Sequence, residues 1–291
     1  MHDHIVRATA PGLRAFAAVT TNLTDEARRR HNCYPVAAAA LGRTMTAALL
    51  LATNLKAEES ITIRIAGDGP LGEIVADASA RGTVRGYVKK PQIDLPLREG
   101  KLDVGRAVGA GNIFVTRFTG LKQPFTGSSP LVSGEIAEDV TNYLLTSEQT
   151  PSSVALGVLV GTDYTVQAAG GFLVQALPGA ADEVIDKLER NLASLKPVSH
   201  LISSGYGAAD ILEKVFAGFS INLYEPKKVT FHCPCSRERV DRLLISLGEQ
   251  ELTDMIGEGR AELVCHFCSE KYHFNRQELE NILQRIKQGA T

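Results

Sequence analysis

Four of the chain's five cysteines form two tight pairs, Cys233-Pro-Cys235 and Cys265-His-Phe-Cys268, separated by residues 236 to 264. Any fold of this chain must decide whether those pairs meet. If they do, four thiolates satisfy tetrahedral coordination of one ion, and zinc is the expected occupant. Such a cage leaves no open position for a catalytic water, so its role is structural or regulatory rather than hydrolytic. The same four sulfurs could instead close into two disulfides. A structural zinc knuckle and a redox switch both fit the spacing. The Cys-x-Cys pair favours the switch, because its sulfurs lie close enough to oxidise to one another.

The rest of the chain narrows the setting. Apolar residues make up 44% of the 291 residues, enough for a sizeable core in one large domain or two unequal ones. No apolar run reaches the roughly 18 residues of a membrane helix; the longest candidate, Thr46 to Thr53, is far too short. The N-terminus, Met1-His-Asp-His-Ile-Val-Arg7, lacks the basic-then-apolar pattern of a signal peptide. A cytoplasmic address, with no membrane partner, is the expectation. There ordinary thiols stay reduced, and paired cysteines read as metal-binding or redox-sensing. Residues 231–291 carry 8 Lys/Arg against 10 Asp/Glu, leaving 23 of each elsewhere. A cysteine module that grips nucleic acid needs a basic face to neutralise phosphates; this one has none in its charge count, and no nucleic-acid partner is expected.

The fold class reads as α+β, in three parts: an antiparallel-sheet body with helices over 1–180, a helical linker over 181–230, and a small zinc-binding domain over 231–291. Alternating stretches predict strands at Ile61–Ile65, Thr83–Val88, Asn112–Phe118, Ser153–Val160 and Tyr164–Ala169. Helices are predicted over Pro35–Leu55 and Gly134–Ser147, the latter with Ile136, Val140, Tyr143 and Leu144 on one face. Short connections favour antiparallel pairing. After Pro178-Gly179, Val184, Ile185, Leu188, Leu192 and Leu195 make one apolar stripe, and Ile211, Leu212, Val215 and Phe216 make a second. Both must be buried against something. In the cysteine module, a helix from Arg239 to Leu247 is expected to turn Val240, Leu243, Leu244 and Leu247 inward, with Gly248 as its stop. A short helix carrying Leu252, Met255 and Ile256 follows, then a hairpin around Cys265–Cys268. A last helix begins at Asn275, with Glu278 as capping partner and Leu279, Ile282, Leu283 and Ile286 buried.

Other features carry less. His232, His266 and His273 are available as ligands, but beside four cysteines they are expected to support the site from outside. Cys33 has no partner in sequence and reads as an ordinary thiol. Ala66-Gly-Asp-Gly-Pro-Leu-Gly72 matches no phosphate loop, and turn geometry accounts for it. The carboxylates of Ser133-Gly-Glu-Ile-Ala-Glu-Asp139 suit a helix N-terminus, and Arg28-Arg-Arg-His31 a solvated helix end. No catalytic residue is assigned, and the chain is not expected to be an enzyme.

At its cysteines the chain resembles the redox-regulated 33-kilodalton heat-shock chaperone family: Cys-x-Cys, a gap of about thirty residues, then Cys-x-x-Cys near the C-terminus. Gly82–Val88, Ser133–Asp139, Ser147–Ser152 and Gly170–Gly179 are similar to its blocks, so the resemblance covers nearly the whole chain. It implies an ATP-independent holdase of the stress response, inactive when Cys233, Cys235, Cys265 and Cys268 bind one zinc. Oxidants such as hypochlorite, or peroxide with heat, would form Cys233–Cys235 and Cys265–Cys268 disulfides and release the metal. The resemblance further implies a homodimer when active. It would hold unfolding or oxidatively damaged clients until an ATP-dependent chaperone system refolds them. Cys33 lies outside the family motif. Two other classes stay open on the residues alone: a constitutive zinc ribbon with a binding partner, and a thiol oxidoreductase using Cys265 and Cys268. The latter would need a thioredoxin-like βαβ setting that the strand order does not supply.

Overall fold

A computed structural model describes residues 2–120 and 123–289. The chain divides into two compact units, Met1–His232 and Cys233–Thr291. The first begins with β1 (His4–Ala10), β2 (Leu13–Val19), α1 (Thr21–His31) and α2 (Pro35–Ala52). There follow β3 (Ser60–Gly67), β4 (Glu73–Ser79), β5 (Thr83–Val88), α3 (Val104–Val108), β6 (Gly111–Phe118), β7 (Phe125–Pro130) and α4 (Ala137–Thr146). The unit closes with β8 (Ser152–Val160), β9 (Val166–Ala176), α5 (Asp182–Ala193), α6 (Val198–Ser203), α7 (Ala208–Val215) and three two-residue strands, β10 (Asn222–Leu223), β11 (Lys227–Lys228) and β12 (Thr230–Phe231).

Two six-stranded sheets result. The first runs β10-β1-β2-β9-β8, with β11 also pairing β1; the second runs β12-β5-β4-β3-β6-β7. Every pair is antiparallel except the parallel β12–β5 contact. The α+β expectation stands. In β3 the alternation is literal: Ile61, Ile63 and Ile65 are buried. Between them, Thr62 bonds Asp77 at 2.7 Å and Arg64 meets Glu73 at 3.1 Å on the polar face.

Helix α2 is the shared core, packed with residues of both sheets in one apolar cluster. At 18 residues it is long and apolar enough to cross a bilayer, which the sequence reading did not recognise. Gly42-Arg43-Thr44 interrupts its run, and only folding shows that all but Pro35 and Arg43 are buried. It is a core helix.

The other face of the first sheet has its own apolar cluster, where α5, α6 and α7 lie. Leu188, Val198, Leu201, Ile202, Ala208, Ile211, Leu212, Val215 and Phe216 are buried there against Val6, Leu13, Ala15, Ala17, Phe172, Val174 and their neighbours. Both apolar stripes expected after Gly179 thus find their cover on the body's own sheet. Strand β9 extends past its expected end at Ala169, through Gly170 and Gly171. A Cβ at Gly170 would stand 2.4 Å from Ile202 Cδ1, and one at Gly171 would stand 3.2 Å from Thr46 Cγ2. The glycines let α6 and α2 approach the sheet from opposite sides.

The remaining motifs of this unit are structural. Asp139 is fully buried and accepts backbone N–H groups from Val132, Ser133, Gly134 and Ile136 at 2.8–3.2 Å, fixing the start of α4. Glu135 takes the Gly105 N–H at 2.9 Å and pairs with Arg43. Asp68, in the Gly-rich turn, accepts the Ala110 N–H at 2.8 Å. Arg28 and Arg30 pair with Asp25 and Glu26 along α1. Cys33 is buried, and burial pushes its thiol up to about 12 against the opposing pull of Arg28. An inert thiol is the result.

The second unit holds α8 (Arg237–Leu247), α9 (Glu249–Glu258), the antiparallel hairpin β13 (Arg260–Val264) and β14 (Lys271–Asn275), and α10 (Arg276–Gly289). Its core is small: Leu244, Leu252, Phe274, Leu279 and Ile282. The capping pair at α10 forms as expected, Asn275 N–H to Glu278 at 2.8 Å and Glu278 N–H to Asn275 at 3.0 Å. One expectation fails. Leu243 and Leu247 are 53% and 40% exposed, not inward. The buried face of α8 is centred on Val240, Leu244 and Ile245, rotated part of a turn from the leucine stripe. Asp241 shares that face and approaches Arg285 of α10 at 4.0 Å.

Candidate metal centre

Each cysteine pair is placed by local structure. Cys265 and Cys268 occupy the turn of the β13–β14 hairpin. The Cys265 N–H donates to Glu270 O at 2.9 Å, and the Ser269 N–H returns to Cys265 O at 2.8 Å. Ser269 adopts a left-handed φ of 57° to close the turn. Backbone N–H groups of Phe267 and Glu270 also donate to the sulfurs of Cys265 and Cys268. The first pair precedes α8, whose cap is the Ser236 hydroxyl accepting the Arg239 N–H at 3.3 Å.

Arg237 ties that segment to the hairpin. Its guanidinium donates to His273 O at 2.6 Å, pairs with Glu278 at 2.8 Å, and lies 3.9 Å over the Phe274 ring. Tyr272 of β14 completes the surroundings, its hydroxyl 3.2 Å from Cys235 Sγ. The phenol donates to that sulfur, and the bond, with burial, pushes the phenol above its ordinary range. Neither residue was singled out from sequence. Tyr272 had a readable signal, since it sits two residues from Phe274 on the inward register of β14; Arg237 had none.

The four sulfurs converge. Cys233 and Cys265 are 3.7 Å apart, Cys235 and Cys268 are 3.3 Å apart, and all four lie within 4.8 Å of one another. A tetrahedron of zinc–sulfur bonds near 2.3 Å has edges of about 3.8 Å. The donor set therefore fits one thiophilic ion, and the cluster could hold it. The four cysteines are free thiols here, not disulfides. Burial, then the neighbouring thiols, raise Cys265 and Cys268 above the ordinary thiol range. Crowded thiols resist ionisation until a cation displaces their protons. Among the described residues, this is the one candidate metal cluster, and His232, His266 and His273 are not in it. His273 is exposed instead, 3.3 Å from Glu262.

Comparison with known proteins converges on one family. The Hsp33 protein family model matches residues 3–275. This chain belongs to the Hsp33 family. A 33 kDa chaperonin of Desulforamulus reducens is 55% identical over 99% of both chains. One of Bacillus subtilis is 50% identical over 96% of this chain and 98% of its own. The crystal structure of the 33 kDa chaperonin from Thermotoga maritima superposes with a TM-score of 0.91 at 36% identity, covering 99% of this chain and 100% of the other. An Hsp33 chain is a chaperone, and not an enzyme.

Proposed function

We propose that this Hsp33 protein is a redox-regulated holdase of the cytoplasm, with Cys233, Cys235, Cys265 and Cys268 as its sensor. The observation that carries the reading is the convergence of four reduced cysteine sulfurs within 4.8 Å in a unit whose core is five buried apolar residues. Zinc bound there would hold the sulfurs ionised and together, with no vacant coordination position. Each peroxide takes two electrons from two thiolates: one S–S bond forms, the O–O bond breaks, and two hydroxides leave as water once protonated. Two such events would give the Cys233–Cys235 and Cys265–Cys268 disulfides. No thiolate donor then remains, and the ion departs.

Three working parts follow: the body over 1–180, the linker over 181–230 and the sensor over 231–291. Nine linker side chains cover the outer face of the first sheet. Undocking them would bare apolar surface on both partners, the kind of surface that captures unfolding or oxidatively damaged chains. The active form is a homodimer that passes clients to ATP-dependent chaperones. The test is aggregation of a thermally unfolding client with reduced or peroxide-treated protein, alongside zinc release. Suppression only after treatment, with one zinc freed per chain, is expected. Equal suppression by both forms, or no zinc released, overturns the reading.

A further inference from the structure

Tyr272 faces Leu263 across the hairpin and shares its strand face with Phe274. Its ring packs on the small core while Lys271, His273 and Asn275 are exposed. So anchored, its hydroxyl reaches to 3.2 Å from Cys235 Sγ. A phenol is a donor toward an ionised sulfur, and such bonds are the stronger, charge-assisted kind. Cys265 and Cys268 receive backbone donors, which no substitution removes. The donor to Cys235 is a side chain, and it can be deleted without touching the ring.

We propose that Tyr272 is a positioning residue that restrains the reactivity of Cys235, and through it the oxidant threshold of the cage. The proposal rests on the redox-switch reading above. A hydroperoxide oxidises the Cys235 thiolate by transfer of one oxygen: an S–O bond forms, the O–O bond breaks, and hydroxide or alkoxide leaves. A second cage thiolate then attacks that sulfur, the S–S bond forms, and hydroxide departs from the sulfenic acid. The Tyr272 hydroxyl bonds the sulfur that opens this sequence and draws electron density from it. Without that bond the first step runs faster.

The full-length, reduced, zinc-bound protein and its Tyr272→Phe variant are treated with iodoacetamide, and each cysteine is followed by mass spectrometry. Cys235 is expected to react about three- to tenfold faster in the variant, with the other three unchanged. An unchanged Cys235 overturns the proposal, as does equal acceleration at all four, which would report loosened packing. In the cobalt-substituted proteins, the thiolate-to-cobalt charge-transfer band should move to longer wavelength in the variant; an unmoved band overturns the proposal. 3-Fluorotyrosine at position 272 keeps the ring and strengthens the donor, so it should slow Cys235. It decides the matter if Tyr272→Phe does not retain zinc. Peroxide-driven zinc release separates the two readings. If the wild type releases none, the switch fails while alkylation and cobalt spectra still judge Tyr272. If the wild type releases zinc and the variant does so no faster, Tyr272 has no such role.

Discussion

Stripping metal from the reduced protein should unfold residues 233–289 and leave the first unit intact. The second unit's core is five buried apolar side chains, Leu244, Leu252, Phe274, Leu279 and Ile282. At roughly 1.5–3 kcal/mol each, they contribute about 8–15 kcal/mol. Structural zinc in modules of this size contributes about 10–16 kcal/mol. The ion's share thus equals that of the whole buried core, and a unit this small has no margin to lose it. Cys268→Ser should act similarly, because Cys268 is the most buried of the four ligand candidates. Amide hydrogen exchange of zinc-bound and chelated protein checks this peptide by peptide. Protection in α8, α9, β14 and α10 should vanish on chelation, while α2 and both six-stranded sheets keep theirs. Persistent protection of 233–289 in the metal-free, reduced chain would refute the reasoning, since the small core would then suffice alone.

Cys33, with its thiol raised to about 12 by burial, has a thiolate fraction at pH 8 that is lower than an ordinary cysteine's by about a thousandfold or more. In metal-free protein it should be alkylated far more slowly than the other four cysteines, and equal rates by mass spectrometry would count against its burial. Asp139→Ala strands four backbone donors around one buried site. It should lower stability by about 3 kcal/mol or more, read from the denaturant midpoint; a shift below about 1 kcal/mol contradicts the capping role. Phe216→Ala removes a buried ring between α7 and the first sheet. It should weaken docking by about 3–5 kcal/mol and raise exchange in 182–216 before the sheets respond, with partial holdase activity in the reduced protein. Unchanged exchange there would separate the linker from the switch.

What the sequence disclosed follows how each segment is buried. Strand β3 alternates because its sheet has one polar face, so Ile61, Ile63 and Ile65 announced themselves. Strand β2, Leu13-Arg-Ala-Phe-Ala-Ala-Val19, went unnoticed because its sheet is covered on both sides and small residues replace alternation. Gly170 and Gly171 looked like a strand end; they are close-approach points for two helices inside β9. The exposed Leu243 and Leu247 misled because four leucine-spaced residues fit two overlapping helix faces, and only α9 and α10 decide between them. At the metal centre the four cysteines were legible from spacing alone. For Tyr272 the alternation with Phe274 gave its inward face but not its sulfur partner, and Arg237 gave no signal, since both roles depend on which strand register and which helix end meet the cage.

The linker helices add a condition to the proposed switch. Helices α5, α6 and α7 have 12, 6 and 8 residues, each too short to persist unsupported in water. They are helical because the first sheet covers their apolar faces, and that cover belongs to the first unit. Oxidising the cysteines removes the metal's contribution to the second unit, while the apolar contacts that dock the linker lie within the first. Exposure of the linker therefore needs a further push, and heat supplies one, because the free-energy weight of the chain entropy gained on undocking grows with temperature. When docking does fail, three short helices and the sheet face beneath them are bared together. A switch so built ignores oxidant at a comfortable temperature and ignores warmth in a reducing cell. It responds when both arrive, which is when other proteins unfold with damaged side chains.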